Sequence, residues 1–260
     1  MARAIWKGRI QFETVDVPVK LYTAVGDIAV HSHLLHDQDY SRLQQRMVCP
    51  EDNVVVPPEE TVKGYEIATG EYVVIESDEL DFAEPQASRQ IEVMEFVEAH
   101  EIDDRFLDRT YYLGPDGDEQ GYVDLLQSLK ETGAAGMCKW VMRRRAYVGV
   151  LAAAGDVLTL TMHRYAGEIV PEDAFELEDV DISEKEMQIA ERLIHELAET
   201  FEPQKYKDEY QIKLQKLIEQ KAQGRPTALP ALEEAEATED DRLLAALEKS
   251  LESLGGKEKK

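Results

Sequence analysis

The chain has 260 residues and a formal net charge of −25 at pH 7, and this length can bury a hydrophobic core without a metal ion or disulfides. It contains no run of about 18 apolar residues, and no long apolar segment follows its basic N-terminus, so we expect neither a membrane span nor a signal peptide. Two widely separated cysteines exclude a disulfide framework and favour a reducing compartment, so we predict a cytoplasmic protein.

Two strands are predicted at the N-terminus, where polar and apolar side chains alternate. In residues 4–12 this alternation puts Lys7 on the polar face, and in residues 15–22 it puts Lys20 on the polar face. Pro18 predicts an edge position or a bulge, because proline has no N–H to donate to a strand ladder.

Further short strands and one helix follow along the chain. The helix is predicted over residues 123–133, and short turns connect several of the strands. This spacing favours a β-barrel or a β-sandwich over a parallel α/β sheet. The predicted strands cover residues 71–77, 91–97, 109–115, 137–145, 146–153 and 157–165.

Basic residues are grouped in this acidic chain. Residues 51–100 contain two Lys or Arg and fourteen Asp or Glu, whereas residues 136–167 contain five Lys or Arg and one Asp. The second band includes Arg143, Arg144 and Arg145. If residues 137–145 form one strand, then Lys139, Arg143 and Arg145 share its outer face and Arg144 does not. A basic run of this kind fits a solvated hairpin turn as well as a binding surface.

The last third of the chain is predicted to be helical at first. An apolar stripe indicates a helix that begins after Ser183 and ends before Pro203, and a second helix carries Tyr206 and Tyr210 inward and ends at Gly224. Residues 226–260 combine an acidic, Pro-containing linker with a short amphipathic helix, which either binds a partner or docks on its own core. The proposed partner-binding residues of that helix are Leu243, Leu244, Leu247 and Leu251.

Four segments, taken together and in order, resemble bacterial Ku, the end-binding protein of non-homologous end joining, over roughly residues 2–223. The segments are RAIWKGRIQFETVDVPVKLYTA, LLHDQDYSRLQQRMVCP, VKGYEIATGEYVVIESDEL and ETFEPQKYKDEYQIKLQKLIEQK.

The resemblance implies a mixed, mainly β fold with three parts. Residues 1–182 would form a Ku-type β-barrel core with a DNA-encircling bridge at about 40–75, and residues 183–225 would form paired helices that complete the core. Residues 226–260 would be the linker and terminal helix. The implied activity is sequence-independent binding of double-stranded DNA ends by a homodimeric ring, and recruitment of an ATP-dependent ligase of the bacterial ligase D type. Neither catalysis nor a cofactor is expected, and the protein would associate with the nucleoid when bound to DNA.

The resemblance also indicates where DNA contacts would lie. The bridge would contribute three cations, Arg42, Arg46 and Lys63. The barrel would contribute six, Lys7, Lys20, Lys139, Arg143, Arg145 and Arg164. Many relatives carry Cys-x-x-Cys after the bridge strand, but here only the first cysteine, Cys49, is present, so we predict no metal.

Two other functions are compatible with parts of the sequence. His31, His33 and His36 suggest a metal-dependent hydrolase, but Leu35 stands where the H-x-H-x-D-H pattern has an acid. A non-catalytic acidic scaffold that binds basic proteins and no DNA would explain the net charge, but not the grouping of the basic residues.

Overall fold

The structure is a computed structural model, and it describes residues 3–172 and 183–224. The described residues divide into two compact units, one with residues 3–28 and 33–172 and the other with residues 29–32 and 183–224. The terminal helix predicted around Leu243, Leu244, Leu247 and Leu251 lies outside the described residues, and the predicted domain boundaries at 182 and 225 stay predictions.

Seven of the nine described strands close into a barrel. The strands are β1 (Trp6–Phe12), β2 (Val15–Thr23), β3 (Lys63–Ala68), β4 (Glu71–Ile75), β5 (Gln90–Glu98), β6 (Leu107–Pro115), β7 (Ala134–Met142), β8 (Arg145–Ala154) and β9 (Val157–His163). The barrel order is β1-β2-β6-β9-β8-β7-β5, in which only the β1–β5 pairing is parallel. The predicted mainly β fold with a barrel core is therefore confirmed.

The barrel interior is filled by the alternating apolar positions of its strands. Val17, Val19 and Leu21 of β2 are buried while Lys20 between them is partly exposed, as the alternation predicts. Pro18 lies on no bulge, because β2 pairs continuously with β1 there, and it lies at an edge only locally, because β2 is inside the closed barrel. Proline is tolerated there because the pairing of β2 with β6 stops at Val19.

Helix α2 (Glu119–Thr132) packs on the barrel and is longer at its N-terminus than predicted. Asp118 caps its start by accepting a hydrogen bond from the Gly121 amide, and Gly133 ends it in the left-handed conformation with φ of 65°. The Tyr122 hydroxyl donates to the Leu113 carbonyl at 2.6 Å and accepts from the Leu158 amide at 2.8 Å, so it ties the helix to two barrel strands.

An arm, defined here as residues 33–89, connects β2 to β5 within the first unit. Its first half is largely irregular, with isolated bridges between Leu35 and Arg42 and between Val48 and Val55. The hairpin of β3 and β4 follows and has no buried residue. Helix α1 (Ser77–Ala83) then leads back to the barrel and also has no buried residue. The arm is therefore held by few apolar contacts of its own.

The second unit contains α3 (Glu184–Leu197) and α4 (Glu209–Ala222). Helix α3 ends several residues before Pro203, and Tyr206 lies before α4 and not within it. Tyr206 and Tyr210 are exposed, so the prediction that both face inward is wrong for the single chain. Gly224 has φ of 67° directly after the last turn of α4, which confirms the predicted helix end. None of the helices in the described ranges is long and apolar enough to cross a membrane.

Candidate nucleic-acid interface

The nine cations predicted to contact DNA fall into two electrostatic groups. Five of them form no ion pair with any residue that the structure describes, and four are held by carboxylates. The unpaired group is Arg42, Arg46 and Lys63 of the arm with Arg143 and Arg145 of the β7–β8 hairpin. The paired group is Lys7, Lys20, Lys139 and Arg164 of the barrel.

The arginine triplet occupies the β7–β8 turn and does not extend one strand. Strand β7 ends at Met142, which pairs with Arg145 at the start of β8. Arg143 and Arg144 between them have positive φ values of 50° and 65°, as a two-residue type I′ turn requires. The prediction that Arg143 and Arg145 continue one strand face is therefore wrong, because alternation does not apply across a turn. Whether either side chain contacts phosphate stays a prediction.

Arg144 points to the arm and not away from it. Its Nε donates to a Glu84 carboxylate oxygen and its Nη2 donates to Asp81. The carboxylate of Glu84 beside it raises the pKa of Arg144 above its usual value. Asp81 belongs to α1 and Glu84 caps that helix, so Arg144 connects the barrel hairpin to the end of the arm. The alternation of strand faces does not include Arg144 among the predicted DNA contacts, so no sequence pattern indicated this role.

Lys7 and Lys20 form a triad with Asp116. The two lysines are directly opposite each other in the β1–β2 ladder, where like charges repel. Asp116 contacts both, at 3.2 Å from the Lys7 Nζ and 2.6 Å from the Lys20 Nζ. Hydrogen bonding to Lys20 lowers the pKa of Asp116, with a smaller contribution from Lys7. The ion pairs with Asp116 therefore explain the positions of Lys7 and Lys20 without a DNA contact.

Lys139 is also paired within the sheet. Its Nζ lies 3.2 Å from the carboxylate of Glu92, which is its direct neighbour across the β5–β7 ladder. Both side chains are more than half exposed. An exposed cross-strand ion pair of this kind stabilises a sheet by about 0.2–1 kcal/mol.

Arg164 holds the end of β9 against the start of β6. Its guanidinium donates to the Leu107 carbonyl and contacts Asp108 at 3.2 Å, while its backbone amide donates to the Phe106 carbonyl at 2.7 Å. The neighbouring ring of His163 stacks on Phe106 with a centroid distance of 4.8 Å. Arg164 thus uses its donors within the fold.

The three arm cations differ from those of the barrel in both exposure and partners. Arg42, Arg46 and Lys63 are all exposed, and in the described part of the chain none has a carboxylate within ion-pair distance. Arg42 closes a short loop by bridging to Leu35, and Lys63 begins the β3–β4 hairpin. Each of these charges can pair with an external anion without breaking an internal ion pair.

The structure places one further basic residue, Arg89, beside the β7–β8 turn, and the sequence patterns did not indicate it. Arg89 lies just before β5, and it lines an open cavity of about 680 Å³ together with Trp6, Arg143 and Arg144. Its carbonyl accepts a hydrogen bond from the Arg9 amide at 2.8 Å. A residue between elements has no strand face, so alternation gave no signal for it.

No three His, Cys, Asp or Glu side chains within residues 3–172 and 183–224 are placed to hold a metal ion. His36 contacts Asp39 at 3.1 Å, and no ligand set forms from His31, His33 and His36. Cys49 is only partly buried and Cys138 is fully buried, where burial raises the pKa of the Cys138 thiol to about 12.

Comparison with known proteins adds independent findings. The family model described as the Ku70/Ku80 beta-barrel domain matches residues 11–190. "Non-homologous end joining protein Ku 2" from Geotalea uraniireducens is 45% identical over 250 residues, which are 96% of this chain and 98% of that protein. "Non-homologous end joining protein Ku" from Anaeromyxobacter sp. is 40% identical over 91% of this chain and 81% of that protein. A protein of the same name from Koribacter versatilis is 35% identical over 86% of this chain and 78% of its own length.

Proposed function

This chain belongs to the Ku family, and from that premise we propose that it binds the ends of double-stranded DNA as a homodimeric ring, without sequence preference. The observation that carries the proposal is that five of the nine predicted DNA-contact cations have no ion-pair partner among the described residues, in a chain of net charge −25. Three of them lie on the arm and two on one barrel hairpin. An acidic protein that binds DNA must keep a local set of cations available for phosphate.

The chemistry of the duplex explains why a small set of cations is enough. Double-stranded DNA carries one negative charge per about 1.7 Å of axis, and binding releases the counterions condensed on it. Contacts to phosphate hold the duplex but carry no base information, so such a surface accepts any sequence. The acidic remainder of the chain repels DNA and limits adhesion away from the cation group.

Dimerisation is supported by apolar side chains that a single chain leaves in solvent. A two-stranded hairpin is marginal by itself, and the β3–β4 hairpin exposes apolar residues on both faces. Contiguous exposed apolar side chains mark interaction surfaces. We propose that a second copy covers them. The exposed hairpin residues are Tyr65, Ile67, Tyr72, Val73 and Val74.

The proposed role ends with recruitment of a ligase. The prediction that the chain is not an enzyme agrees with its family, whose members are end-binding factors. Joining two ends requires a new phosphodiester bond, so a partner enzyme must form it. We propose an ATP-dependent ligase of the bacterial ligase D type, bound through residues 226–260. The site of action would be the cytoplasm, at the nucleoid.

The test of the end-binding proposal compares linear duplex with covalently closed circular DNA of the same sequence in a gel shift. A threading ring shifts the linear DNA and not the circle. Equal shifts would replace threading with side-on binding, and no shift of either DNA would favour the acidic scaffold. Light scattering should give a dimer, and a stable monomer with and without DNA would contradict the ring.

The ligase proposal has its own test. Deleting residues 226–260 should leave binding to linear duplex unchanged and reduce the stimulation of ligase D-type end joining. Loss of end binding in the deleted protein would instead put these residues in the DNA-binding part of the chain.

A further inference from the structure

The β7–β8 turn is built from residues that the turn conformation disfavours. Type I′ turns need positive φ at both central residues, which is why Asn-Gly is the preferred pair there. Arg143 and Arg144 hold φ values of 50° and 65° instead. A side chain in this conformation crowds its own backbone, and strain of this kind clusters at functional positions, so the contacts that the side chain makes decide whether it has a use beyond the turn.

Arg144 directs its guanidinium to the arm. It contacts Asp81 and Glu84, whereas Arg143 and Arg145 on either side form no ion pair with the described residues. Glu84 is about two-thirds shielded, with 31% of its side chain exposed. The two carboxylates come from the C-terminal cap of α1 and from α1 itself, 60 and 63 residues away along the chain.

Apolar packing does little to hold α1 on the barrel. The helix has no buried residue, and an open cavity of about 680 Å³ lies beside it, lined by Trp6, Pro85 and Arg89 among others. The ion pairs of Arg144 bridge this junction directly. Fixing α1 also fixes the base of the β3–β4 hairpin, because β4 ends at Ile75 and α1 begins at Ser77.

We propose that Arg144 is a positioning residue, which latches α1 to the barrel and so orients the arm cations Arg42, Arg46 and Lys63 for the duplex. Arg144 itself does not contact phosphate in this scheme. The inference rests on the proposed end binding, and it assigns different tasks to adjacent arginines: Arg144 orders the arm, while Arg143 and Arg145 are available to DNA.

The decisive variant removes negative charge. In Asp81→Asn/Glu84→Gln the chain loses two carboxylates, so general electrostatics alone would tighten DNA binding. Loss of the latch predicts the opposite, a weakening of about two- to thirtyfold for linear duplex, the range for two exposed ion pairs. The matched control is Glu59→Gln/Glu60→Gln, which removes two exposed carboxylates of the same arm away from Arg144 and should bind as tightly as the unchanged protein or more tightly.

A second variant separates the latch from folding. Arg144→Gly suits the turn better, so the barrel should melt at a higher temperature. Hydrogen exchange should nevertheless accelerate in residues 63–83, and end binding should weaken. Glu13→Gly is the control, because Glu13 also has positive φ, 46°, in the two-residue β1–β2 turn. It should raise the melting temperature without changing exchange in the arm.

The outcomes distinguish the latch from the function beneath it. If the unchanged protein does not bind linear duplex, the proposed function fails, while faster exchange of residues 63–83 in Arg144→Gly would still support the latch. If the unchanged protein binds but Asp81→Asn/Glu84→Gln binds as tightly as the Glu59/Glu60 control, the latch is overturned. Unchanged arm exchange in Arg144→Gly would overturn it as well.

Discussion

The barrel and the arm carry the same types of basic residue in different electrostatic surroundings. Four barrel cations, Lys7, Lys20, Lys139 and Arg164, lie in sheet ladders or at strand ends within ion-pair distance of a carboxylate, as Lys139 does with Glu92. Arm cations lie on an irregular segment and a two-stranded hairpin, and the described residues offer them no carboxylate partner. A cation opposite a carboxylate stabilises the sheet, and this role is enough to explain its presence. A cation without such a partner in an acidic chain is available to bind an external anion.

This difference lets us rank the nine predicted DNA contacts by their expected contribution to DNA affinity. Binding phosphate through a paired cation first breaks an internal ion pair, which offsets part of the gain. An unpaired cation loses only its water and its rotamer freedom. We therefore expect the arm and the β7–β8 hairpin to carry most of the salt dependence of end binding, and the barrel wall to carry little.

The largest effect is expected from the arm. Replacing Arg42, Arg46 and Lys63 together with Gln should make the slope of log affinity against log salt shallower by about 0.9 for each phosphate that a subunit no longer neutralises. With this slope, each neutralised phosphate increases the affinity at 0.1 M salt by about eightfold relative to 1 M salt. Fluorescence anisotropy over a salt series measures both. Thermal unfolding should not change, because these side chains are exposed and unpaired. An unchanged slope would move the DNA-binding surface off the arm.

The hairpin should rank second. Arg143→Gln/Arg145→Gln should weaken binding equally for duplexes of different sequence, because phosphate contacts carry no base information. The slope should again fall by about 0.9 for each phosphate that a subunit no longer neutralises. If affinity and slope stay the same while circular dichroism shows an intact fold, Arg143 and Arg145 belong to an ordinary solvated turn.

A third variant should turn two paired barrel cations into unpaired ones. Asp116→Asn releases Lys7 and Lys20, so binding to linear duplex should tighten, by less than about eightfold since one neutralised phosphate sets that scale. Weaker binding would show that Asp116 orients the lysines and does not compete with DNA for them.

Acid titration provides a control for the same site. The pKa of Asp116 is lowered in the folded state by Lys20, so its contribution to stability is complete above the ordinary pKa of aspartate and is lost as pH falls through the lowered value. Asp116→Asn should therefore show a smaller loss of melting temperature on acidification than the unchanged protein.

The smallest effect is expected at Lys139. Because Glu92 already neutralises it, Lys139→Gln should change end-binding affinity by less than about twofold and stability by no more than about 1 kcal/mol. A slope that falls by about 0.9 per subunit would contradict the comparison, since it would show that a paired barrel cation binds phosphate as an unpaired one does.

Sequence reasoning worked where the physics is local. Alternation gave the inward and outward faces of β1 and β2, and the position of Gly224 indicated the end of α4. The strand-face interpretation failed at Arg143 and Arg144, where the structure has the alternative, a hairpin turn, because arginine is an uncommon residue at positive φ and its type does not distinguish a turn from a strand. Sequence reasoning also placed Tyr206 in a helix that begins only at Glu209.

The sequence by itself determined the barrel strands, the resemblance to Ku and the set of cations from which a DNA-binding surface could be drawn. Only the tertiary structure decided which of those cations are already paired. The physical reason is that strand faces follow from neighbouring residues, whereas an ion pair such as Lys20 with Asp116 or Arg144 with Glu84 joins residues from distant parts of the chain. Whether a cation can bind phosphate depends on the charges within a few ångströms of it. In this chain, barrel closure brings Asp116 to Lys20, and the end of the arm brings Glu84 to Arg144.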